Sequence, residues 1–287
     1  MLASPHSSIV QDGITIAVPG CPVTARRLPA VDVAVKKAGV ARANSTPSSE
    51  VPGGNQAYSE ELSDLTVLQQ HCVFFDKDND GIIWPIDTFY GFHQIGFNIF
   101  LSLLSMFIVH FGFSYVTSPS WTPDPFFRIH IKHIHKAKHG CDTGTYDHEG
   151  RWVPQHFEDI FSKYDAGLTP DLVSTKADPT FSGCLSPRNL AALHKGNRNA
   201  MDPFGWGAAL FELFAAWWIS DGVLKKEEMR GVYDGSLFYQ RWERAKANEN
   251  VLWRAVGRFT REDTAFHERV GRAALVDQNT LQTEFVG

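Results

Sequence analysis

The cysteines of this chain are few and not arranged for the usual work of cysteine. Cys21, Cys72, Cys141 and Cys184 stand far apart with no C-x-x-C, a pattern of reduced thiols facing a cytosol rather than a disulfide frame. The metal motif H-E-x-x-H is absent as well. Positive charge is not in surplus: 27 Lys and Arg face 32 Asp and Glu, for a net charge of −5. That balance speaks against nucleic acid as the main partner. The first residues, M-L-A-S-P-H-S-S, have no basic start followed by an apolar stretch of signal-peptide length, so secretion is not expected.

What is present centres on Asp76–Asp87, D-K-D-N-D-G-I-I-W-P-I-D. A twelve-residue calcium loop of the EF-hand type places ligands at positions 1, 3, 5, 7 and 12, with glycine at 6 for the sharp turn. Asp76, Asp78 and Asp80 fill the first three, Gly81 makes the turn, Ile82 offers its carbonyl, and Asp87 closes the set. Asp87 stands where glutamate is usual, and its shorter arm weakens the reach toward a large ion. The bland alternative, an acidic surface turn, sits poorly with helix-compatible flanks on both sides.

At 287 residues, with 43% hydrophobic and 13% aromatic content, the chain has material for a sizeable core in one large domain or two small ones. Residues 1–57 are rich in Ser, Pro, Ala and Val and read as a mobile N-terminal arm. Residues 58–94 form the calcium-loop unit, with a helical period from Tyr58 to Phe75. Residues 95–127 hold the apolar run Ile95–Val116, long enough for a helix of roughly 33 Å. Pro119, Pro123 and Pro125 then turn the chain. Both a buried core helix and a re-entrant or surface membrane anchor satisfy this stretch. Residues 128–287 read as a helical domain.

Weaker copies of the loop appear when Gly81 is aligned with later glycines. They are Thr145–His156, Asp178–Asn189 and Trp217–Glu228, each keeping the glycine, an apolar eighth position and part of the acid set. EF-hands stack in pairs, so the expected fold is mainly α, with two pairs of helix–loop–helix units of which only the first carries a full ligand set. His71 and His139 fall five and six residues before the first and second loops, near-equivalent places that could face one pocket. Imidazole is a frequent haem ligand. A zinc or non-haem iron site on His130, His133, His135 and His139 is the rival.

These residues resemble the caleosin family. The resemblance is carried by L-Q-Q-H-C-V-F-F-D-K-D-N-D-G-I-I-W-P at 68–85, S-Y-V-T-S-P-S-W-T-P-D-P at 114–125, I-H-K-A-K-H-G at 134–140, T-Y-D-H-E-G-R-W-V-P at 145–154 and Y-D-G-S-L-F at 233–238. It runs from about Tyr58 to Phe238. It implies a calcium-binding haem protein of lipid droplets and endoplasmic reticulum, cytosol-facing, acting as a peroxygenase. Such an enzyme moves one oxygen from a fatty-acid hydroperoxide to an unsaturated lipid. The family's haem-linked histidines fall on His71 and His139, its calcium ligands on Asp76, Asp78, Asp80 and Asp87, and its proline knot on Pro119, Pro123 and Pro125.

The cofactors implied are haem b and Ca²⁺. No C-x-x-C-H occurs, so haem b would be held without thioether links; thiolate ligation by Cys72 or Cys141 is the lesser alternative. A homo-oligomer is compatible with the resemblance. A non-catalytic calcium-dependent coat or tether of lipid droplets needs the same loop and anchor without haem. If one haem is shared, both histidines lie on one side of the membrane. Ile95–Val116 must then dip and return or lie along the surface, with His110 near the interface.

Overall fold

Capping residues set most helix starts in this computed structural model, which describes residues 9–11, 14–16, 34–165, 183–247 and 264–284. Two short antiparallel strands, β1 (Ile9–Gln11) and β2 (Ile14–Ile16), come first. Helix α1 (Gln56–Glu61) and helix α2 (Val67–Val73) replace the single helix expected from Tyr58 to Phe75. Thr66 is the reason for the break: it caps α2 in a box with Gln69, and such a cap needs an extended residue between helices. Strand β3 (Ile82–Ile83) follows the acidic loop, and α3 (Pro85–Gln94) opens on proline. Asn98 caps α4 (Ile99–Thr117), so the apolar helix starts later than Ile95. Strand β4 (Ile129–His130) and a 3₁₀ helix (Ile131–Ala137) complete the first half.

The second half repeats the scheme. Helix α5 (Pro154–Tyr164), strand β5 (Cys184–Leu185) and α6 (Pro187–Asn197) are followed by α7 (Pro203–Trp218), strand β6 (Leu224–Lys225) and α8 (Lys226–Asp234). Helices α9 (Ser236–Ala247) and α10 (Thr264–Glu284) close the described chain.

Two short antiparallel ladders join the loops. β5 pairs with β6 with Leu185 opposite Leu224, the two apolar eighth positions of the third and fourth loops. Residues 178–182 of that third loop lie outside the described residues. β3 pairs with β4 with Ile83 opposite Ile129. The partner of the acidic loop is therefore not Thr145–His156, which corrects the expected repeat. That segment is a tight turn in which Asp147 accepts from the Glu149 and Arg151 backbone N–H groups, and Trp152 bridges to Arg42 and Tyr146. No helix enters it from the N-terminal side, only the 3₁₀ turn and the bends after it.

The partner segment escaped notice because it carries phenylalanine where the alignment sought glycine. Phe127 has φ +54° two residues before Ile129, as Gly81 has +82° two residues before Ile83. Asp124 accepts from the backbone N–H groups of Phe126 and Arg128, holding the turn. The three prolines of 119–125 thus lie in the loop between α4 and β4.

Residues 34–57 were expected to belong to a mobile arm, but they form a strap across the second half. Thr46 and Asn55 donate to the buried Asp234 carboxylate at 2.7 and 2.9 Å. Trp152 Nε1 donates to the Pro47 carbonyl at 2.9 Å, and Lys226 bonds Ser49, Glu50 and Glu158. Unpaired, these buried polar groups would cost 1–3 kcal/mol each, roughly; paired, they tie the strap down. The first 33 residues beyond β1 and β2, including Cys21, lie outside the described residues.

Helix α4 inverts the usual order of a helix face. Its buried positions are polar: Ser102, Ser105, His110, Ser114 and Thr117. Its exposed positions are apolar, among them Phe100, Phe107 and Phe111, the last 82% exposed. His110 docks α4 on its neighbours. Its Nδ1 donates to the Phe127 carbonyl at 2.6 Å, and its Nε2 pairs with the Thr88 hydroxyl at 2.7 Å.

Candidate functional site

The acidic loop is built as its spacing requires. The Asp76, Asp78 and Asp80 carboxylates lie within 4.8 Å of one another. Asp76 is buried and accepts the backbone N–H groups of Asp80 and Gly81 at 3.2 and 2.8 Å, so it folds the loop around itself. Burial, together with the charges of Asp80 and Asp78, pushes the Asp76 carboxyl up to about 7 against the pull of those N–H groups. Clustered carboxylates of this kind are relieved by a cation. Ile82 lies at the ladder, its N–H donating to Asp80. Asp87 stands apart from the cluster: its Oδ2 accepts from the Trp84 N–H at 3.0 Å and caps α3.

Two of the other loops carry their own cations. Arg128 pairs with Asp124 at 2.8 Å. Arg241 bridges Asp221 and Glu228, positions 5 and 12 of the fourth loop, at 2.8 and 3.0 Å. Among the described residues only the first loop gathers three acids with no arginine or lysine in ion-pair contact.

His71 and His139 line one cavity of about 260 Å³ between α2, α3, α4, α7 and the 143–146 turn. Its wall is mostly apolar, with Phe75, Phe92, Phe113, Phe211 and Phe238 prominent. Gln70 and Phe74 pack α2 so that His71 faces inward beside Phe238, ring centroids 5.1 Å apart. His71 Nδ1 lies 2.6 Å from the Val232 carbonyl. A carbonyl only accepts, so Nδ1 carries the proton and Nε2 keeps a free lone pair. Burial lowers the His71 pKa and favours that neutral form.

His139 is set the other way round. Its Nε2 lies 3.4 Å from Glu212 Oε1 on α7, and its Nδ1 is buried with no partner. Burial lowers its pKa, but the hydrogen bond and charge of Glu212, with the charges of Asp142 and Asp202, together outweigh that and leave it raised. Of the buried polar atoms without a partner among the described residues, the His139 and His194 Nδ1 atoms belong to residues that line this cavity. With His71 lining the same apolar cavity, two imidazole nitrogens are available there, a donor set compatible with an iron cofactor.

The rival sites do not assemble. His133 donates from Nδ1 to the Thr117 carbonyl at 3.0 Å, and His130, His133, His135 and His139 form no cluster of three ligands among the described residues. Cys72 and Cys141 also line the cavity. Burial pushes the Cys72 thiol up to about 12, and burial with Asp202 raises Cys141. A thiol held protonated is a poor iron ligand.

The family model described as "Caleosin related protein" matches residues 63–241. The chain belongs to the caleosin family. It is similar to a protein of Lilium longiflorum named "Peroxygenase", 40% identical over 83% of this chain and 95% of that one. It is also similar to "Probable peroxygenase 4" of Arabidopsis thaliana, 37% identical over 60% of this chain and 83% of the relative. A "Probable inactive peroxygenase-like protein" of Arabidopsis thaliana is 28% identical over 52% of this chain. No solved structure matches.

Two features of this caleosin's cavity went unread in the sequence. Glu212 sits in the apolar helix F-G-W-G-A-A-L-F-E-L-F-A-A-W-W, where a lone acid amid apolar residues was the available signal. His194 lines the same cavity, its Nδ1 also buried and unpaired, and nothing in its setting on α6 marks it. α4 is, among the described residues, the helix long and apolar enough to cross a membrane, and it could associate with one.

Proposed function

We propose that this chain is a calcium-binding haem peroxygenase working at a lipid surface. The observation that carries the reading is the pair of histidines on one apolar cavity, one with a free Nε2 and one with an unpaired buried Nδ1. Haem b, when bound, supplies an iron centre that can take one oxygen from a hydroperoxide and hand it to an acceptor. His71 is the residue suited to hold the iron: Val232 fixes its tautomer, and buried phenylalanines exclude water. His139 is suited to proton transfer. Glu212 keeps a proton on Nε2, so Nδ1 is the atom that takes up or returns the hydroperoxide proton inside the cavity.

The apolar lining fits an acyl chain, which favours a fatty-acid hydroperoxide as oxygen donor and an unsaturated lipid as acceptor. The first loop is read as an EF-hand that holds Ca²⁺ and pairs with the degenerate loop ending at β4; the third and fourth loops form the second pair. α4 and the proline-bearing loop after it are read as the membrane-associating element with its proline knot. With its polar face docked on α3 and β4, α4 would lie along the surface of a lipid droplet or the endoplasmic reticulum rather than cross it.

The test is a spectrum with metal analysis on protein purified without added haem. A Soret band, with turnover of a fatty-acid hydroperoxide, is the expected result. Bound calcium with no Soret band and no turnover would leave a lipid-droplet coat instead.

A further inference from the structure

The exposed apolar surface does not end with α4. On α7, Phe204, Gly207, Leu210, Phe211, Phe214 and Trp218 fall on one stripe at helical spacing. Phe204 is 47% exposed, Leu210 59% and Trp218 41%. The opposite side of the helix carries the buried Gly205, Ala208, Ala209 and Ala216. Glu212, the one charged residue within α7, lies outside the stripe and next to His139, with its side chain 53% exposed.

At the Phe204 end the stripe reaches α4, and at the Trp218 end it reaches the buried Phe97 ahead of that helix. Phe204 meets Phe113 with ring centroids 6.0 Å apart, and a Cβ added at Gly112 would lie 3.2 Å from the Phe204 ring. Gly112 therefore leaves room for the Phe204 ring against α4. At the far end Trp218 meets Phe97, just before α4, at 5.9 Å. The two helices also share the cavity wall, through Val109 and Phe113 of α4 and Phe211 of α7. A joined apolar surface of this extent marks a partner or a membrane.

We propose that the outer face of α7, around Phe204, Leu210 and Trp218, seats together with α4 in the hydrocarbon edge of a phospholipid surface. The occupant is lipid because this stripe prolongs the face of the helix most suited to lipid, carries no charge, and ends on tryptophan, a residue favoured at the lipid–water boundary. The α4–α7 wall of the cavity then faces the acyl layer, and a fatty-acyl substrate reaches His71 and His139 without crossing water. This rests on the peroxygenase reading for the identity of the substrate, but the lipid contact stands apart from it.

The experiment is flotation of the full chain with phosphatidylcholine vesicles, combined with quenching of tryptophan fluorescence by brominated acyl chains. L210E should weaken partitioning about tenfold, as should F111E on α4. V40E, at an exposed apolar residue away from both helices, should not. W218F should remove part of the bromolipid quenching. Circular dichroism and the Soret band of L210E should match the parent protein. A parent protein without a Soret band would remove the peroxygenase reading while the L210E effect upheld the surface. Partitioning of L210E at the parent level, with F111E impaired, overturns the proposal. So does a dimer in lipid-free solution that L210E converts to monomer, which would make the face a contact between copies.

Discussion

Glu212 Oε1 stands 3.4 Å from His139 Nε2, and the other nitrogen of that ring is buried without a partner. Orientation and protonation of the imidazole are both set from α7. Glu212→Gln keeps an acceptor and removes the charge, so the His139 pKa should fall from its raised value. Turnover at neutral pH should drop about tenfold, a modest share of what acid–base groups contribute, with haem content unchanged. NMR titration of the ring, run beside the pH–rate profile, checks this. An unmoved titration would mean that Glu212 does not act on His139.

The two histidines should differ in what they lose. His71→Ala should abolish the Soret band, since its Nε2 is the lone pair best prepared for iron. His139→Ala should retain part of the haem and lower turnover by roughly two orders of magnitude. Difference spectra on both variants separate the roles. Equal haem loss in both would make the two side chains a ligand pair.

Calcium should bind once. Asp76→Ala removes both a ligand and the acceptor of two loop N–H groups, so calorimetry should show no binding. Asp87→Glu should tighten Ca²⁺ relative to Mg²⁺, because the longer arm reaches an ion that Asp87, capping α3 through Trp84, stands back from. An unchanged ratio of the two affinities would take Asp87 out of the ligand set.

How much of this was legible depended on where the information sits along the chain. The acidic loop is local: its ligands, glycine and ladder residue are consecutive, and the structure brings Asp76, Asp78 and Asp80 together as their spacing requires. The Leu185–Leu224 ladder was legible because both loops keep glycine at the turn. The Ile83–Ile129 ladder was not, because Phe127 adopts a positive φ that residue type does not announce. The strap at 44–55 was misread because Ser, Thr and Asn look like linker until the acids they bond, Asp234, Glu227 and Glu158, are placed beside them by the fold. Glu212 was missed for the same reason, its partner lying on another element.

His110 should matter for the seating of α4. It bridges Thr88 on α3 to the Phe127 carbonyl, and its removal leaves both without that partner. His110→Ala should cost about 1–3 kcal/mol, read as a lower melting temperature. The haem spectrum should be unaltered, since His110 does not line the cavity. Full stability in His110→Ala would mean that α4 is held without its polar face.

The strap should loosen as pH rises. Burial, with a hydrogen bond to Glu227, pushes Glu50 from an ordinary carboxyl value up to about 7, although Lys226 pulls the other way. The folded chain then holds a proton on Glu50 over a range where the unfolded chain has released it. A carboxyl with a raised folded value favours the fold at low pH, and that contribution disappears as pH climbs from about 4.5 through about 7. Half of the Glu50 side chain is near water, so screening keeps the effect small. Above pH 7 the Glu50 carboxylate is ionised beside that of Glu227; Glu227 keeps Arg230, whereas Glu50 has only Lys226, which it shares with Glu158. Limited proteolysis within 44–55 should therefore be faster at pH 8.5 than at pH 6. Glu50→Gln should flatten the dependence, because a neutral amide bonds Glu227 at every pH. The same cleavage rate at both pH values would show that Glu50 and Glu227 do not share a proton in the folded chain.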